Sequence, residues 1–167
     1  YTRPRPIFFD EDLIRAHGEI EKLCPHVHMP VQSGADPVLA RMRRRYTGDD
    51  VRRLAARLRA ARPDLALTTD LIVGFPGESD ADFEATLALV RDVDYADGFS
   101  FKYSPRPGTP GAELDGRVPE GVAQERLEAV QDLLRRQTLR YHRSRVGTRS
   151  CHRVGGSFTC ESQSMIG

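Results

Sequence analysis

Apolar residues recur at helical spacing in five segments of this chain, and a helix-start signal precedes each of them. The predicted starts are Asp10, Asp36, Thr47, Ser79 and Pro119. Asp36 is expected to cap the second helix, with Pro37 at the first helical position. Thr47 and Ser79 are each followed three residues later by an aspartate, which is the spacing of a capping box. Pro63 is expected to end the third helix.

Three stretches between the helices predict β-strands: residues 27–32, 66–75 and 98–104. Residues 66–75 are nearly all apolar or β-branched, which is typical of a strand buried on both faces. Strands alternate with helices, so a parallel sheet with right-handed crossovers is the predicted architecture. Three strands cannot close a barrel and the chain does not begin with Met, so we expect it to be a piece of a longer protein.

The periodic pattern fails towards the end of the chain. The last helix is expected to end near Tyr141, and from about residue 146 the sequence has neither helical nor strand periodicity. We therefore expect residues 146–167 to form an irregular, truncated or aberrant tail.

Composition narrows the class of protein without naming a partner. The net charge is +1, and the hydrophobic and charged contents of 39% and 29% are ordinary for a globular domain. No apolar run approaches the roughly 20 residues that cross a bilayer, and no signal peptide is recognisable at the start. An odd cysteine count without secretory features favours a reducing compartment, so we expect a cytoplasmic location.

Arginine is concentrated in one segment. Residues 41–62 contain nine arginines against Asp49 and Asp50. Such a surface could bind the phosphates of a nucleic acid. The alternative is a compositionally biased genome, because nearly all cations of the chain are arginines.

No metal site is predicted. His26 and His28 alternate with apolar residues and share one face of a strand, but a third ligand is not evident. Cys24 is expected to be an ordinary buried thiol. Cys151 and Cys160 match no metal-ligand spacing.

Polar residues and glycines follow the strands, at the end where parallel βα units keep their chemistry. Gln32, Ser33 and Gly34 place amide, hydroxyl and backbone N–H groups before a capped helix, which suits a ribose or a carboxylate. The alternative is a simple turn with a helix cap. Asp70 lies inside an apolar strand, where a carboxylate is costly unless it is paired or faces a polar cavity. It is therefore a candidate site residue.

A glycine turn follows the second strand. Gly74 and Gly77 permit positive φ and a close approach of the backbone to a ligand. Glu78 is expected chiefly to favour the N-terminus of the next helix through its charge. The sequence contains no P-loop and no serine-protease-type triad, so the catalytic residues stay unknown.

Four motifs in this order resemble a known family: HMPVQSGAD at 28–36, MRRRYT at 42–47, DLIVGFPGE at 70–78 and YSPRPGT at 103–109. They look like the second half of the radical S-adenosylmethionine (SAM) core of methylthiotransferases of the MiaB type, which modify tRNA. The resemblance covers about residues 1–147.

The resemblance implies an α/β fold, the C-terminal half of a partial, TIM-like (β/α) barrel with parallel strands and flanking helices over residues 1–145. It also implies S-adenosylmethionine and [4Fe–4S] clusters as cofactors, an electron donor, and tRNA as the partner. The expected activity places a 2-methylthio group on N6-isopentenyladenosine beside the anticodon. The oligomeric state is not predicted.

Two family features are missing from the sequence. The cluster-binding C-x-x-x-C-x-x-C triad does not occur, so its cysteines are expected upstream of this chain. The family continues after residue 147 into a small β-rich RNA-binding domain called TRAM, and the tail lacks the alternating apolar strands of such a domain.

By resemblance, cofactor contacts are expected from Gln32, Ser33 and Asp70, with the turn at Gly74 close by. Phe101 and Tyr103 are expected on the adenine or substrate side. Arg44 is expected to pair with a carboxylate or phosphate.

Two alternatives stay open. A related branch modifies a ribosomal-protein side chain, although the sequence from Arg106 to Thr109 favours the tRNA branch. The chain by itself could also be a barrel fragment without catalytic activity.

Overall fold

A computed structural model describes residue 6, residues 9–106, 108, 110–147, 149–154 and 157–162; for the last two ranges it describes the backbone only. The described residues form five α-helices: α1 (Glu11–Glu19), α2 (Asp36–Arg41), α3 (Gly48–Ala61), α4 (Asp80–Val93) and α5 (Glu120–Arg145). The strands are β1 (His26–His28), β2 (Ala66–Val73), β3 (Asp97–Lys102), β4 (Arg149–Val154) and β5 (Ser157–Ser162). In this part of the chain, no helix is long and apolar enough to cross a membrane.

The first three strands form one parallel sheet in the order β1-β2-β3. Helices α2 and α3 connect β1 to β2, and α4 connects β2 to β3. This is the alternating βαβ arrangement that the sequence predicts, so the expectation of an α/β fold with a parallel sheet is confirmed.

Local signals explain most of the helix starts. The side chain of Asp10 accepts a hydrogen bond from the Leu13 N–H at the start of α1. Complete capping boxes open α3 at Thr47 and α4 at Ser79. Helix α5 begins after Pro119 as predicted, but it ends at Arg145 rather than near Tyr141.

Asp36 is not the cap of α2. The N-cap is Ala35, and Asp36 is the first residue of the helix. The Asp36 carboxylate instead accepts a hydrogen bond from the N–H of Gly48, 2.8 Å away, at the start of α3. The sequence places an acceptor correctly near a helix N-terminus, but the helix that uses it is the next one.

The core lies between the sheet and the helices. Leu67, Leu71 and Val73 of β2 are fully buried on the helix side, together with Val90 of α4 and Val130 of α5. The expectation that β2 is buried on both faces is wrong, because its residues alternate between buried and half-exposed. One face of the sheet is therefore left open within the described residues.

The predicted first strand is shorter than expected. Regular pairing ends at His28, and only Gln32 pairs again with β2, as an isolated bridge to Leu71. Pro30 lacks an N–H to donate to the ladder, which accounts for the interruption. The predicted third strand corresponds to β3.

Residues 149–154 and 157–162 form the strands β4 and β5, which pair antiparallel. The expectation of an irregular segment is therefore wrong for these residues. Few residues of these two strands are apolar, so the alternation that predicts a strand is weak in their sequence. A domain boundary near residue 146 stays a prediction.

Candidate functional site

The open face of the sheet carries a mixed set of polar and aromatic side chains. In register, Asp70 lies beside Phe99 and Ile72 beside Phe101. Phe99 and Phe101 are 62% and 53% exposed, unusually high for large aromatic residues in a strand. The open face is defined by these residues together with His26, His28 and Thr68 of β1 and β2. A ligand can reach the sheet from this side.

A cavity of about 450 Å³ opens on this face at the carboxyl ends of the strands. Its lining includes Gln32, Asp70, Ile72, Phe101, Tyr103 and Arg106. Four residues predicted as cofactor contacts, Gln32, Asp70, Phe101 and Tyr103, are thus brought together in one place. Gln32, Asp70 and Tyr103 come from three separate sequence motifs, and Phe101 lies on β3 just before the last of them.

Gln32 is held in the cavity wall by an unusual backbone. Its φ is 75°, a left-handed conformation that is uncommon outside glycine. The Gln32 N–H donates to the Asp70 carbonyl and its carbonyl accepts from the Ile72 N–H, both at 2.8 Å. These two hydrogen bonds to β2 fix the conformation and bring Gln32 beside Asp70.

Ser33 lies outside this cavity. Its side chain is fully buried, its hydroxyl is 3.2 Å from the Thr86 hydroxyl, and it accepts from the Ala35 N–H. Gly34 is required by close packing, because a Cβ at this position would lie 2.6 Å from the Ala85 carbonyl oxygen. Of the alternative, a simple turn with a helix cap, the turn is observed and packs against α4, but Asp36 is not the cap; a cofactor contact from Ser33 stays a prediction.

Arg44 does not line the cavity either. It follows α2, where its N–H donates to the Leu39 carbonyl at 2.8 Å. Its Nε atom is buried and has no hydrogen-bond partner among the described residues. Pairing of Arg44 with a carboxylate or phosphate stays a prediction.

The glycine turn after β2 is built for close packing against α5. Gly74 has φ of 72°, and a Cβ there would lie 2.9 Å from the Cβ of Ala123. Gly77 has φ of 75°, and its carbonyl accepts a hydrogen bond from Arg41 at 2.7 Å. Gly74 therefore shapes the end of β2 but does not itself line the cavity, whereas Ile72, two residues earlier, does.

Glu78 has a larger structural role than the sequence predicts. Its side chain is 2% exposed and forms a 2.8 Å ion pair with Arg126 of α5, whose side chain is 7% exposed. Glu78 also accepts from the Gly74 N–H at 3.2 Å. Burial raises the pKa of Glu78, although the hydrogen bond from Gly74 and the charge of Arg126 oppose this shift. The pair ties the turn to the last helix.

The sequence itself indicates that Arg126 needs a buried partner. It occupies the buried stripe of α5 together with Ala123, Val130 and Leu134. A charged residue at an apolar stripe position requires a buried partner.

A row of polar side chains crosses from β1 to β2 on the open face. The Thr68 hydroxyl oxygen lies 3.0 Å from His26 Nε2 and 2.9 Å from His28 Nδ1. His28 Nε2 lies 3.3 Å from an Asp70 carboxylate oxygen. The polar neighbour that Asp70 needs inside an apolar strand is therefore His28.

Carboxylates within the chain compensate part of the charge of the basic segment 41–62, whereas Arg59 contacts only backbone carbonyls, which leave its charge in place. Six of its arginines contact carboxylates or backbone carbonyls: Arg41, Arg52, Arg53, Arg57, Arg59 and Arg62. These pairs reduce the positive charge that this segment can offer to a nucleic acid.

The described residues contain no group of three or more His, Cys, Asp or Glu side chains that could hold a metal ion. Cys24 is half-buried rather than fully buried. Cys151 and Cys160 are opposite each other in the register of β4 and β5.

The sequence matches the family model described as the radical SAM superfamily over residues 2–90. The chain belongs to the radical SAM superfamily. Among solved structures, one described as "Coproporphyrinogen III oxidase (HemN) from Escherichia coli is a Radical SAM enzyme" is similar, with a TM-score of 0.66 and 17% sequence identity. The match covers 94% of this chain and 39% of that one. At this identity the likeness shows the fold alone.

The comparison confirms the predicted fold class. The three parallel strands and their helices correspond to part of a radical SAM barrel. The chain spans well under half the length of the HemN chain, so the activity of a whole protein is a matter for proposal.

Superfamily membership implies S-adenosylmethionine and a [4Fe–4S] cluster, and the residues present fit only the first. Ile72 and Phe101 offer apolar and aromatic surface for a base, and Asp70 is an acceptor for ribose hydroxyls. The Tyr103 hydroxyl is buried without a hydrogen-bond partner among the described residues. The three cysteines lack the triad spacing, so this chain holds no set of residues that fits the cluster.

Proposed function

We propose that this chain is part of a tRNA methylthiotransferase that installs a 2-methylthio group on N6-isopentenyladenosine next to the anticodon. One observation carries the proposal. Residues from three of the four MiaB-type motifs, which are far apart in sequence, meet at a single cavity: Gln32, Asp70, Tyr103 and Arg106. A shared cavity is expected when the motifs serve one bound molecule.

The proposed role of the cavity is to hold the nucleoside part of S-adenosylmethionine, which would yield a radical on reductive cleavage by a [4Fe–4S] cluster whose ligands are not in this chain. Asp70 accepts hydrogen bonds from ribose hydroxyls, and its side chain is 19% exposed, so a ligand can reach it. Ile72 and Phe101 contact the base. Gln32 offers an amide that both donates and accepts, which suits the edge of an adenine.

Two cations at the cavity rim support an anionic substrate such as RNA. Lys102 and Arg106 both line the cavity. Lys102 also pairs with Glu120 of α5, so part of its charge is already compensated within the chain. Positively charged side chains at such positions contact phosphates and orient a nucleic acid without reading its sequence.

Deletion of the complete gene followed by mass spectrometry of tRNA nucleosides tests this function. The 2-methylthio nucleoside should disappear, and N6-isopentenyladenosine should accumulate. A gene copy carrying Asp70→Asn should fail to restore the product. A copy carrying Asp64→Asn, at an exposed carboxylate of the loop before β2, should restore it. Persistence of the 2-methylthio nucleoside in a strain without a paralogue would contradict the proposal.

The same deletion strain tests the alternative in which the substrate is a ribosomal-protein side chain. Loss of a methylthio mass from a ribosomal protein, with unchanged tRNA, would assign the chain to the other branch. The proposal predicts that ribosomal-protein masses do not change.

Iron and sulfide reconstitution separates the chain from the longer protein. The 167 residues alone should show neither cluster absorbance nor reductive cleavage of S-adenosylmethionine, because they lack the cysteine triad. A polypeptide that includes the triad should show both. Cluster-dependent cleavage by the 167 residues would contradict this assignment of the ligands.

A further inference from the structure

The row of polar side chains on the open face has a defined order. His26, Thr68, His28 and Asp70 follow one another across β1 and β2 at distances of 3.0, 2.9 and 3.3 Å. The strand register places His28 directly beside Thr68, so the contacts to His26 and Asp70 run diagonally between the strands. His28 is the only one of these residues that touches both Thr68 and Asp70.

The direction of the hydrogen bonds follows from the chemistry of the groups. An ionised carboxylate only accepts, so His28 Nε2 donates its proton to Asp70. In a neutral imidazole the other nitrogen then accepts, and the Thr68 hydroxyl donates to His28 Nδ1. Thr68 has spent its one proton, so its oxygen accepts from the Nε2–H of His26.

The state of His26 agrees with this order. Burial lowers the pKa of His26, which favours its neutral ring. A neutral His26 with its proton on Nε2 is the form that can donate to Thr68 without bringing a charge into the row.

We infer that His26, Thr68, His28 and Asp70 form a one-directional hydrogen-bond relay that holds Asp70 as an acceptor for the ribose of a nucleoside in the neighbouring cavity. Thr68 and His28 are positioning residues, because they act through Asp70. This inference rests on the proposed use of the cavity, and it adds which residues prepare the cavity for its ligand.

The relay explains why a threonine occupies position 68. Valine has nearly the same shape and is equally suited to a strand, but it has no hydroxyl to fix the tautomer of His28. Without that hydroxyl, His28 is free to place its proton on Nδ1, and Asp70 then loses its donor. Asp70 is thereby less well oriented towards the cavity.

Nitrogen-15 NMR of the histidine rings tests the relay directly. At about pH 7.5, above the usual histidine range, His26 and His28 should both carry the proton on Nε2 and an unprotonated Nδ1. Thr68→Val should shift the ring signals of His28, and Thr68→Ser should keep them as in the unsubstituted chain. An Nδ1–H or doubly protonated ring at His28 in the unsubstituted chain would overturn the relay.

Titration with S-adenosylhomocysteine gives the second readout. Thr68→Val should weaken binding roughly fivefold, as for the loss of one orienting hydrogen bond, and Thr68→Ser should restore it. Thr138→Val is the matched control, since this α5 hydroxyl contacts Asp97 rather than the relay. Equal binding by Thr68→Val and Thr138→Val would overturn the positioning role.

These outcomes separate the inference from the proposed function. If the unsubstituted chain binds S-adenosylhomocysteine and Thr68→Val does so equally well, only the relay is wrong. If the unsubstituted chain does not bind at all, the nucleoside site itself is wrong, and the inference falls with it. If Thr68→Val does not fold, the histidine tautomers of the unsubstituted chain and of Thr68→Ser still decide whether the relay exists.

Discussion

The two faces of β2 differ although they belong to the same eight residues. On the helix side, Leu67, Leu71 and Val73 are completely buried. On the open side, Thr68, Asp70 and Ile72 are half-exposed, and Asp70 and Ile72 lie beside Phe99 and Phe101 of β3. The helix side of β2 stabilises the fold, and the open side contributes Asp70 and Ile72 to the cavity lining.

The difference shows how a strand can combine both tasks. Successive side chains point to opposite faces, so a residue can serve the cavity without weakening the core on the other side. Substitutions on the helix side should therefore change stability, and substitutions on the open side should change binding.

The largest effect is expected at the ion pair of Glu78 and Arg126, the one pair among the described residues in which both side chains are buried. Arg126→Met should lower the free energy of unfolding by about 3–5 kcal/mol, because Glu78 is left buried without its cation. Arg136→Met, which breaks an exposed pair with Asp132 on the same helix, should cost no more than about 1 kcal/mol. Chemical denaturation measures both. Equal losses of unfolding free energy in the two variants would show that burial does not make the Glu78–Arg126 pair more important for stability than an exposed pair.

Neighbouring residues of β2 give the sharpest test of the two faces. Leu71→Ala should cost about 2–5 kcal/mol, since the fully buried side chain leaves a cavity in the core. Ile72→Ala should cost less than about 1.5 kcal/mol, because Ile72 is already half-exposed. Similar midpoint shifts in urea for the two variants would contradict the assignment of the faces.

Binding, unlike stability, should depend on residues of the open face. Phe101→Ala should weaken S-adenosylhomocysteine binding by roughly fivefold to hundredfold through loss of a stacking surface, with little change in stability. Phe99→Ala is the matched control, because Phe99 is exposed on the same face but does not line the cavity. Calorimetric titration distinguishes them. An equal loss at Phe99 would move the ligand away from the cavity.

The smallest effect is a pH dependence at Glu78. Burial raises the pKa of Glu78 in the folded chain above its ordinary value, so the folded state binds this proton more tightly than the unfolded state. The contribution of Glu78 to stability should therefore fall as the pH rises from about 4.5 through the folded pKa. Glu78→Gln should remove this component from the unfolding free energy measured across that range. An unchanged pH profile would contradict the raised pKa.

The helices were predictable because their signals are local. Thr47 and Ser79 lie within three residues of the aspartates that complete their capping boxes, so no tertiary information is needed. The prediction that Asp36 caps α2 is wrong because its hydrogen-bond partner lies 12 residues away in the next helix, beyond the reach of a local pattern.

The site was predictable only in part because its residues depend on long-range pairing. Asp70 stood out as a carboxylate in an apolar strand, and the structure places it at the cavity. Its neighbour His28 is 42 residues distant in the sequence, so no local pattern could join them. Glu78 was underestimated because its partner Arg126 lies 48 residues further along the chain.

The exposure of β2 was misjudged because threonine and isoleucine are compatible with either face. Thr68 and Ile72 fit a pleated surface whether or not it is covered, so residues 66–75 resemble a strand buried on both sides. Only the position of the helices settles which face is open.

The most direct test of this account is an NMR titration of the chain with S-adenosylhomocysteine at millimolar concentration. The methyl signals of Ile72 and the ring signals of Phe101 should shift together and saturate, while the methyl signals of Leu67 and Leu58 in the core should not move. That result would place a nucleoside on the open face of the sheet. Shifts confined to the helices, or no shift at either Ile72 or Phe101, would contradict it.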